Sequence, residues 1–335
     1  MPQNDSVSRT DVLSYKGPGT GILGLYSCSS KLYAIVKSNE DPEDAFLWST
    51  EHGYTYEDWK QVVDETDEPA KIPLAFAGCP GVVFQEKLWL MGGSSYDPEF
   101  ISKQVGYYSF AKNAWIRDVE GTDGESAKWP EEMGERMGHS IVVSPDRKQV
   151  WVMGGYDRSG GAKKDMWAFN GMKWDRLSDP PWEPRCLFGA AASPDSIWIG
   201  GGFATPGGVT HDSIWKWDGK NGWQKVAPSL SPTSHSGEED AKQYCACTCA
   251  FLDDALYFFA THYDPRESTY ESGIFSVFRG SGQWNKAKIT GVTSDWALET
   301  DYYSLASVVY KNRIYTRRLA RGMLDDKIHY FVRVR

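Results

Sequence analysis

The chain has 335 residues, of which 41% are hydrophobic, and a formal net charge of -9. The negative charge repels a phosphate backbone, so we expect no nucleic-acid partner. No segment approaches the roughly 18 uninterrupted apolar residues of a membrane span, and the first residues lack the apolar core of a secretion signal. We therefore expect a cytoplasmic protein with no membrane partner.

The composition favours an all-β protein with many tight turns, because 15 Trp, 18 Tyr and 33 Gly are an excess of flat packing groups and permissive backbone positions. One apolar pattern recurs along the chain, with first apolar residues 47 to 62 positions apart. Its six copies are KLYAIV from Lys31, KLWLMGG from Lys87, QVWVMGG from Gln149, SIWIGGG from Ser196, ALYFFAT from Ala255 and RIYTRRL from Arg313. The chain is thus built from repeats.

Each copy has the same internal order. An upstream apolar strand leads through a short turn into the aromatic run, a polar loop follows, and a third strand leads to a fourth that carries a tryptophan. The fourth-strand tryptophans are Trp59, Trp115, Trp174, Trp223 and Trp284. Four short strands in a repeat of about 50 to 60 residues are typical of a propeller blade.

Paired glycines after the second strand, an aromatic in the third and a Trp in the fourth resemble the kelch repeat of the galactose-oxidase central-domain-like superfamily. The resemblance implies one domain, a six-bladed kelch-type β-propeller. Its blades would span about residues 20–65, 73–120, 135–180, 185–228, 241–288 and 301–335. Blades 1, 5 and 6 depart from the pattern, since Val36-Lys37, Ala260-Thr261 and Arg317-Arg318 replace the glycine pair.

The sixth copy lacks an outer strand, because the chain stops soon after its third strand. A strand within residues 6–14 can supply it, since RTDVLS at Arg9 is similar to KWDRLS at Lys173, in the fourth strand of blade 3. We expect this N-terminal strand to complete the last blade and close the ring, which would remove an open sheet edge.

The resemblance also places function at one mouth of the central channel, where the loop before each first strand meets the loop between the second and third strands. Five residues there are candidates for catalysis: Arg136, Arg185, His139, Tyr244 and Tyr302. Eight are candidates for substrate binding: Phe76, Tyr96, Tyr156, Asp157, Phe188, Phe203, His262 and Arg317. Aromatic rings with a few cations are the usual lining of a small-molecule pocket. The two arginines, which lie next to the propeller glycines, have an alternative role, which is to bond backbone carbonyls of the neighbouring blade.

No metal or other cofactor is expected. Cys245, Cys247 and Cys249 share one face of a strand, but neighbours in such a row are about 7 Å apart, too far for all three to reach one zinc. They are instead expected to be small buried residues near the channel axis. The six histidines show no ligand spacing, and the glycines at Gly154 and Gly200 lack a phosphate-loop motif.

Three functions fit this sequence. The first is a cofactor-independent enzyme of cyclase or isomerase type, such as a cycloaddition catalyst of natural-product biosynthesis, acting as a monomer on a small organic substrate. Arg or Tyr would polarise a carbonyl, and His139 or His262 would move protons. The alternatives are a kelch-type protein- or peptide-binding module and a carbohydrate-binding lectin. The six unlike loops favour one asymmetric pocket over six sugar sites.

Overall fold

The computed structural model describes residues 10–16, 18, 22–38, 44–52, 56–64, 66–72, 80–94, 101–116, 128–205, 208–226, 245–264, 269–278, 284–286, 289–290, 307–320 and 323–333. These residues form an all-β propeller arrangement with five evenly spaced blades. Short 3-10 helices occur at Tyr56–Asp58 and Glu131–Met133. Within the described ranges, no helix has the length and apolar character to cross a membrane.

The strands follow the predicted order. After β1 (Thr10–Lys16), blade 1 has β2 (Ile22–Cys28), β3 (Lys31–Lys37), β4 (Ala45–Thr50) and β5 (Lys60–Gln61), with β6 (Lys71–Ile72) also paired to β4. Blade 2 has β7 (Gly81–Phe84), β8 (Lys87–Met91), β9 (Val105–Ser109) and β10 (Ala114–Ile116). Blade 3 has β11 (Ser140–Val143), β12 (Val150–Met153), β13 (Met166–Phe169) and β14 (Trp174–Arg176). In each blade the four strands form an antiparallel sheet in chain order.

The second half of the chain continues the pattern. Blade 4 has β15 (Gly189–Ala192), β16 (Ser196–Gly200), β17 (Ile214–Asp218) and β18 (Gly222–Val226), and blade 5 has β19 (Cys245–Leu252), β20 (Ala255–Asp264), β21 (Thr269–Phe278) and β22 (Trp284–Lys286). A further sheet, called sheet 6 below, contains β23 (Ile289–Thr290), β24 (Ser307–Tyr310), β25 (Arg313–Ala320) and β26 (Met323–Arg333).

Strand β1 is also part of sheet 6. It pairs antiparallel with β26 from Thr10 opposite Arg333 to Lys16 opposite Lys327, and β23 adds to its other side in parallel. Sheet 6 also touches blade 1, since the Ser27 hydroxyl donates a hydrogen bond to the carbonyl of Val309 at 3.1 Å. Chain start and chain end therefore share one sheet.

Aromatic side chains fill the space between blades. Trp89 of blade 2 meets Phe169 of blade 3 with ring centroids 4.9 Å apart, and Trp151 of blade 3 meets Trp217 of blade 4 at 4.8 Å. Such ring pairs contribute about 0.5–1.5 kcal/mol each beyond their buried area. Trp174 packs within its own blade, with its ring 4.7 Å from that of Phe169.

The blades differ where their second strands end, which we call the mouth end. In blades 2, 3 and 4 a glycine pair with positive φ ends or directly follows the strand: Gly92-Gly93, Gly154-Gly155 and Gly201-Gly202. In blade 5 and sheet 6 the glycines are absent, and β20 with β21 and β25 with β26 continue as longer hairpins. Each of these two sheets also contains a register irregularity, between Ala246 and Thr248 and between Arg317 and Leu319. In these two sheets loss of the glycines coincides with strands that run on, whereas β3 of blade 1, which also lacks the pair, ends at Lys37 opposite Ala45.

Candidate functional site at the mouth end

An apolar layer covers the mouth end of blades 2, 3 and 4. Short bridges pair Met137 with Tyr156 and Cys186 with Phe203, which extends each sheet past its glycine pair. The side chains of these four residues and Ile101 form one buried cluster, each 8% exposed or less. This part of the predicted mouth is therefore filled by side chains, with Tyr156 and Phe203 in the filling.

Arg136 lies beneath this layer and is completely buried. Its guanidinium donates to the Gly154 carbonyl at 3.0 Å, to the Met133 carbonyl, and to both carboxylate oxygens of Asp165 at 3.0 and 2.8 Å. The backbone carbonyl of Arg136 accepts a hydrogen bond from the N–H of Gly93 in the preceding blade at 2.9 Å. Arg136 thus ties the glycine pair of its own blade to that of its neighbour.

Arg185 occupies the same place one blade later and is also completely buried. It donates to the carbonyl of Gly201 at 3.0 Å and to the Ser213 hydroxyl at 3.0 Å, and its own carbonyl accepts from Gly155 N–H at 2.9 Å. Its guanidinium lies 5.5 Å from the ring centroid of Trp182. Burial lowers the pKa of Arg185 to about 10, against the weaker opposing effect of nearby carboxylates.

Both arginines bond backbone carbonyls, as the alternative role requires, but these carbonyls belong to their own blade and not to the neighbouring one. Each guanidinium is used inside its own blade, and neither has surface exposed to a ligand. Their assignment as catalytic residues stays a prediction, but their contacts are those of structural residues that fix the mouth-end loops.

His139 is 3% exposed, and its Nε2 lies 3.0 Å from the carbonyl of Met91 in blade 2. Burial, with the charge of Arg136 second, lowers the pKa of His139 to about 3. The ring is neutral at physiological pH, and Nε2–H donates to Met91. A histidine with this pKa does not exchange protons near neutral pH, so the geometry does not favour His139 as a general base. Phe188, at the same position of blade 4, is 4% exposed and packs between blades 3 and 4.

Asp157 stands in the loop after the glycine pair of blade 3 and is partly exposed. Its carboxylate accepts from the Ser159 hydroxyl and, at 2.9 Å, from the Lys163 ammonium. Hydrogen bonding from Ser159, together with Lys163, lowers the pKa of Asp157 to about 2. This carboxylate is ionised and engaged with its own loop.

The part of the chain that the structure describes does not bring the other predicted residues together. Phe76, Tyr96, Tyr244 and Tyr302 lie outside the described residues. His262 stands opposite Glu271 in the extended hairpin of blade 5, and Arg317 stands opposite Ile328 in that of sheet 6. A separate cleft of about 440 Å³ on blade 3 is lined in part by Lys163, Asp165 and Arg176, and none of the predicted residues lines it.

Sequence reasoning missed a repeated unit that supports the mouth. Trp129 lies 6.1 Å from His139 and 5.6 Å from the fourth-strand Trp174; Trp182 lies 6.0 Å from Phe188 and 6.1 Å from Trp223. The signal was available, because a Trp precedes the Arg in both connecting loops. Asp165 and Ser213, which accept from the arginines, each stand directly before a third strand.

The cysteine row agrees with the packing prediction where it is described. Cys249 is buried and its thiol is free, and burial raises its pKa well above the ordinary value. A Cβ built on Gly189 in blade 4 would lie 3.3 Å from Cys249 Sγ, so small residues let the first strands of blades 4 and 5 approach closely. Within the described residues, no group of three His, Cys, Asp or Glu side chains could hold a metal ion.

Comparisons with known proteins identify the fold. No family model and no curated protein matches the chain. Among solved structures, that of YjhT, a kelch-repeat propeller protein, aligns with a TM-score of 0.66, covering 94% of this chain and 96% of that one. The sequences are 15% identical over this alignment. The likeness supports a β-propeller arrangement and carries no information about activity.

Proposed function

We propose that the protein is a closed six-bladed propeller that acts on a small organic molecule at its mouth end, as a cofactor-independent cyclase or isomerase. The pairing of β1 with β26 supports ring closure by the N-terminal strand. So do the contacts between sheet 6 and blade 1, where the Tyr310 hydroxyl donates to the Glu51 carbonyl at 2.7 Å and Lys311 Nζ donates to the same carbonyl at 2.6 Å.

Closure can be tested without a substrate. Deletion of residues 1–16 removes β1 and should lower the melting temperature strongly, because it leaves the outer edge of β26 unpaired. Deletion of residues 1–9 is the matched control and should change little, since it keeps the paired strand. Equal melting temperatures for the two shortened chains would contradict closure by β1.

The asymmetry of the mouth end is the observation that carries the functional proposal. In blades 3 and 4 residues 154–165 and 201–213 join the second strand to the third over a filled apolar layer, whereas in blade 5 and sheet 6 the strands themselves continue, to Asp264 opposite Thr269 and to Ala320 opposite Met323. A lectin built on repeats would present similar loops from blade to blade. One side filled by apolar residues and one side built of extended hairpins, called the raised side below, instead favour a single asymmetric site.

The proposed catalytic groups come from the raised side, because Arg136, Arg185 and His139 are engaged in the scaffold. His262 on β20 is the candidate for proton transfer, and Arg317 on β25 is the candidate that binds an anionic or carbonyl oxygen. Tyr244 and Tyr302, which precede β19 and β24 in the sequence, would add hydrogen-bond donors. Orientation of one flexible substrate between these groups would supply most of the rate enhancement.

A conversion assay tests the proposal. The purified protein is incubated with a desalted small-molecule extract of its source cells, and substrate loss and product gain are followed by mass spectrometry at constant elemental composition, as isomerisation requires. His262→Ala should abolish the conversion, while His52→Ala, in an exposed turn at the opposite end of blade 1, should retain it. No isomeric conversion by the wild-type protein would overturn the proposal.

Peptide binding is the second candidate, and one observation favours it. β22 pairs with β21 only over Phe275–Val277, so within the described residues no strand lies against the outer side of β21 from Thr269 to Ile274. An extended peptide can add to such an edge through backbone hydrogen bonds. A peptide library retained by the wild-type protein, with no conversion of the extract, would favour this function.

A further inference from the structure

Leu187 adopts a backbone conformation that its neighbouring blade gives to glycine. Its φ is 53°, and Gly138, at the same position of blade 3, has a φ of 61°. A residue with a Cβ is strained in this left-handed region, least so for Asn and Asp and more so for a bulky apolar side chain. Non-glycine residues held there concentrate at functional sites, where the surrounding structure maintains the strain.

The position of Leu187 shows why glycine is required one blade earlier. The N–H of Leu187 donates to the carbonyl of Gly138 at 2.7 Å, so the two residues face each other across the junction between blades 3 and 4. A Cβ built on Gly138 would lie 3.0 Å from Leu187 Cδ2 and 2.9 Å from Tyr156 Cε1. The junction has room for one side chain, and it comes from the strained position.

The side chain of Leu187 is partly exposed and packs against the apolar layer that contains Tyr156 and Phe203. Those two rings are 7% and 8% exposed, and Cys186 between them is fully buried. Leu187 is thus the member of the layer with the most surface left at the mouth end. A glycine here would relieve the strain and remove the most exposed apolar surface of the layer.

We propose that Leu187 with Tyr156 and Phe203 forms the apolar floor of the substrate site, and that the ligand therefore has an apolar, uncharged body. This inference rests on the proposed small-molecule function and names its substrate class. The strain argues for a role beyond packing, because Gly138 forms the same backbone turn in blade 3 without a side chain. The polar groups of the substrate would then face the raised hairpins of blade 5 and sheet 6.

The test measures binding of the uncharged fluorescent probe phenylnaphthylamine to the intact protein, together with its melting temperature. Leu187→Gly should weaken probe binding at least about tenfold, with a melting temperature equal to or above that of the wild type, since strain relief offsets lost packing. Leu187→Asn, which tolerates the left-handed region, should lose binding as well, and Leu187→Met should retain it. Arg147→Gly is the matched control, because Arg147 is exposed at the opposite end with a φ of 57°.

Two outcomes would overturn the inference. Unchanged probe binding in Leu187→Gly, or no probe binding by the wild type, would remove the apolar floor. A melting temperature that falls in Leu187→Gly and Leu187→Asn alike would make Leu187 a packing residue. Probe binding requires no turnover, so these results are independent of the conversion assay: a protein that converts the extract but ignores the probe keeps the proposed function and loses this inference.

Discussion

Blades 3 and 4 have the same backbone arrangement at the mouth end, called the backbone frame below, but they carry different side chains on it. In both, an arginine in the connecting loop bonds the first carbonyl of the glycine pair, and its own carbonyl accepts from the glycine pair of the blade before. Blade 3 pairs that arginine with the partly buried carboxylate of Asp165, whereas in blade 4 the guanidinium bonds the hydroxyl of Ser213 and lies 3.5 Å from the carboxylate of the mostly exposed Glu183. His139 in blade 3 corresponds to Phe188 in blade 4, and Gly138 corresponds to Leu187.

The comparison separates what the repeat specifies from what each blade adds. The glycine pair, the arginine and the connecting tryptophan fix the backbone of the mouth end, since each satisfies a carbonyl, an N–H or a packing contact between blades. The carboxylate, the imidazole and the leucine are not needed for that frame, because the other blade forms it without them. Differences of this second kind determine the charge and polarity of the mouth.

The largest expected effect is loss of the buried ion pair in blade 3. Arg136→Met should lower the free energy of unfolding by about 3 kcal/mol, because it leaves the Asp165 carboxylate partly buried without its partner. Arg185→Met should cost about 1.5 kcal/mol, since it leaves neutral buried acceptors unsatisfied, while its carboxylate partner Glu183 is mostly exposed and stays solvated. Urea denaturation measures both. Equal losses would mean that the two arginines stabilise their blades in the same way.

The glycine pairs should respond alike, because they belong to the shared frame. Gly155→Ala would place a Cβ 2.7 Å from His139 Cβ, and Gly202→Ala would place one 2.7 Å from the carbonyl oxygen of Cys186. Each should cost about 2 kcal/mol of unfolding free energy through steric overlap at positive φ. Gly160→Ala, with a φ of 80° and nothing within 4 Å of the added Cβ, should cost about 1 kcal/mol. A large difference between the first two variants would break the equivalence of the blades.

The pH dependence of stability should differ when the imidazole of blade 3 is exchanged for the ring of blade 4. The pKa of His139 is about 3 in the folded protein, against 6.5 for an unperturbed histidine. As the pH falls, the unfolded chain therefore binds a proton at this residue before the folded protein does. Stability due to this group is therefore complete above about pH 6.5 and declines below it, by at most about 1.4 kcal/mol per pH unit.

His139→Phe should flatten this part of the profile. The difference between the two profiles from about pH 6.5 to 5 isolates His139, because burial also lowers the pKa of His211 but that group is present in both proteins. Asp165 titrates at lower pH, since the hydrogen bonds and charge of Arg136 outweigh the effect of burial and hold its pKa below the usual range. The variant also loses the bond to the Met91 carbonyl and starts from a lower stability. A profile with the same slope as the wild type would show that folding leaves the pKa of His139 unchanged.

The backbone frame of the blades could be predicted from the sequence. The side-chain contacts at the mouth end could be predicted only in part. Glycine pairs, apolar runs and fourth-strand tryptophans recur at near-constant spacing, so the four-stranded blades follow from pattern alone, and β1 was placed near its observed start. The partner of Arg136 is 29 positions away in sequence and depends on how β12 and β13 are joined, which composition does not specify. The strain at Leu187 was hidden for the same reason, since φ at one residue is set by contacts across two blades.

The smallest expected effect comes from placing the carboxylate of blade 3 at the corresponding position of blade 4. Ser213 stands before β17 as Asp165 stands before β13, and each accepts from the arginine and from an indole N–H, of Trp215 at 3.3 Å and of Trp167 at 2.7 Å. Ser213→Asp should therefore pair with Arg185 and raise the free energy of unfolding by about 1 kcal/mol. In an Arg185→Met background the same substitution should destabilise instead, because the new carboxylate would be buried without a cation. The double-mutant cycle gives the coupling energy between residues 185 and 213. A coupling energy near zero would mean that an aspartate at position 213 cannot reach the guanidinium. The two blades would then share their backbone arrangement but not the geometry of the ion pair.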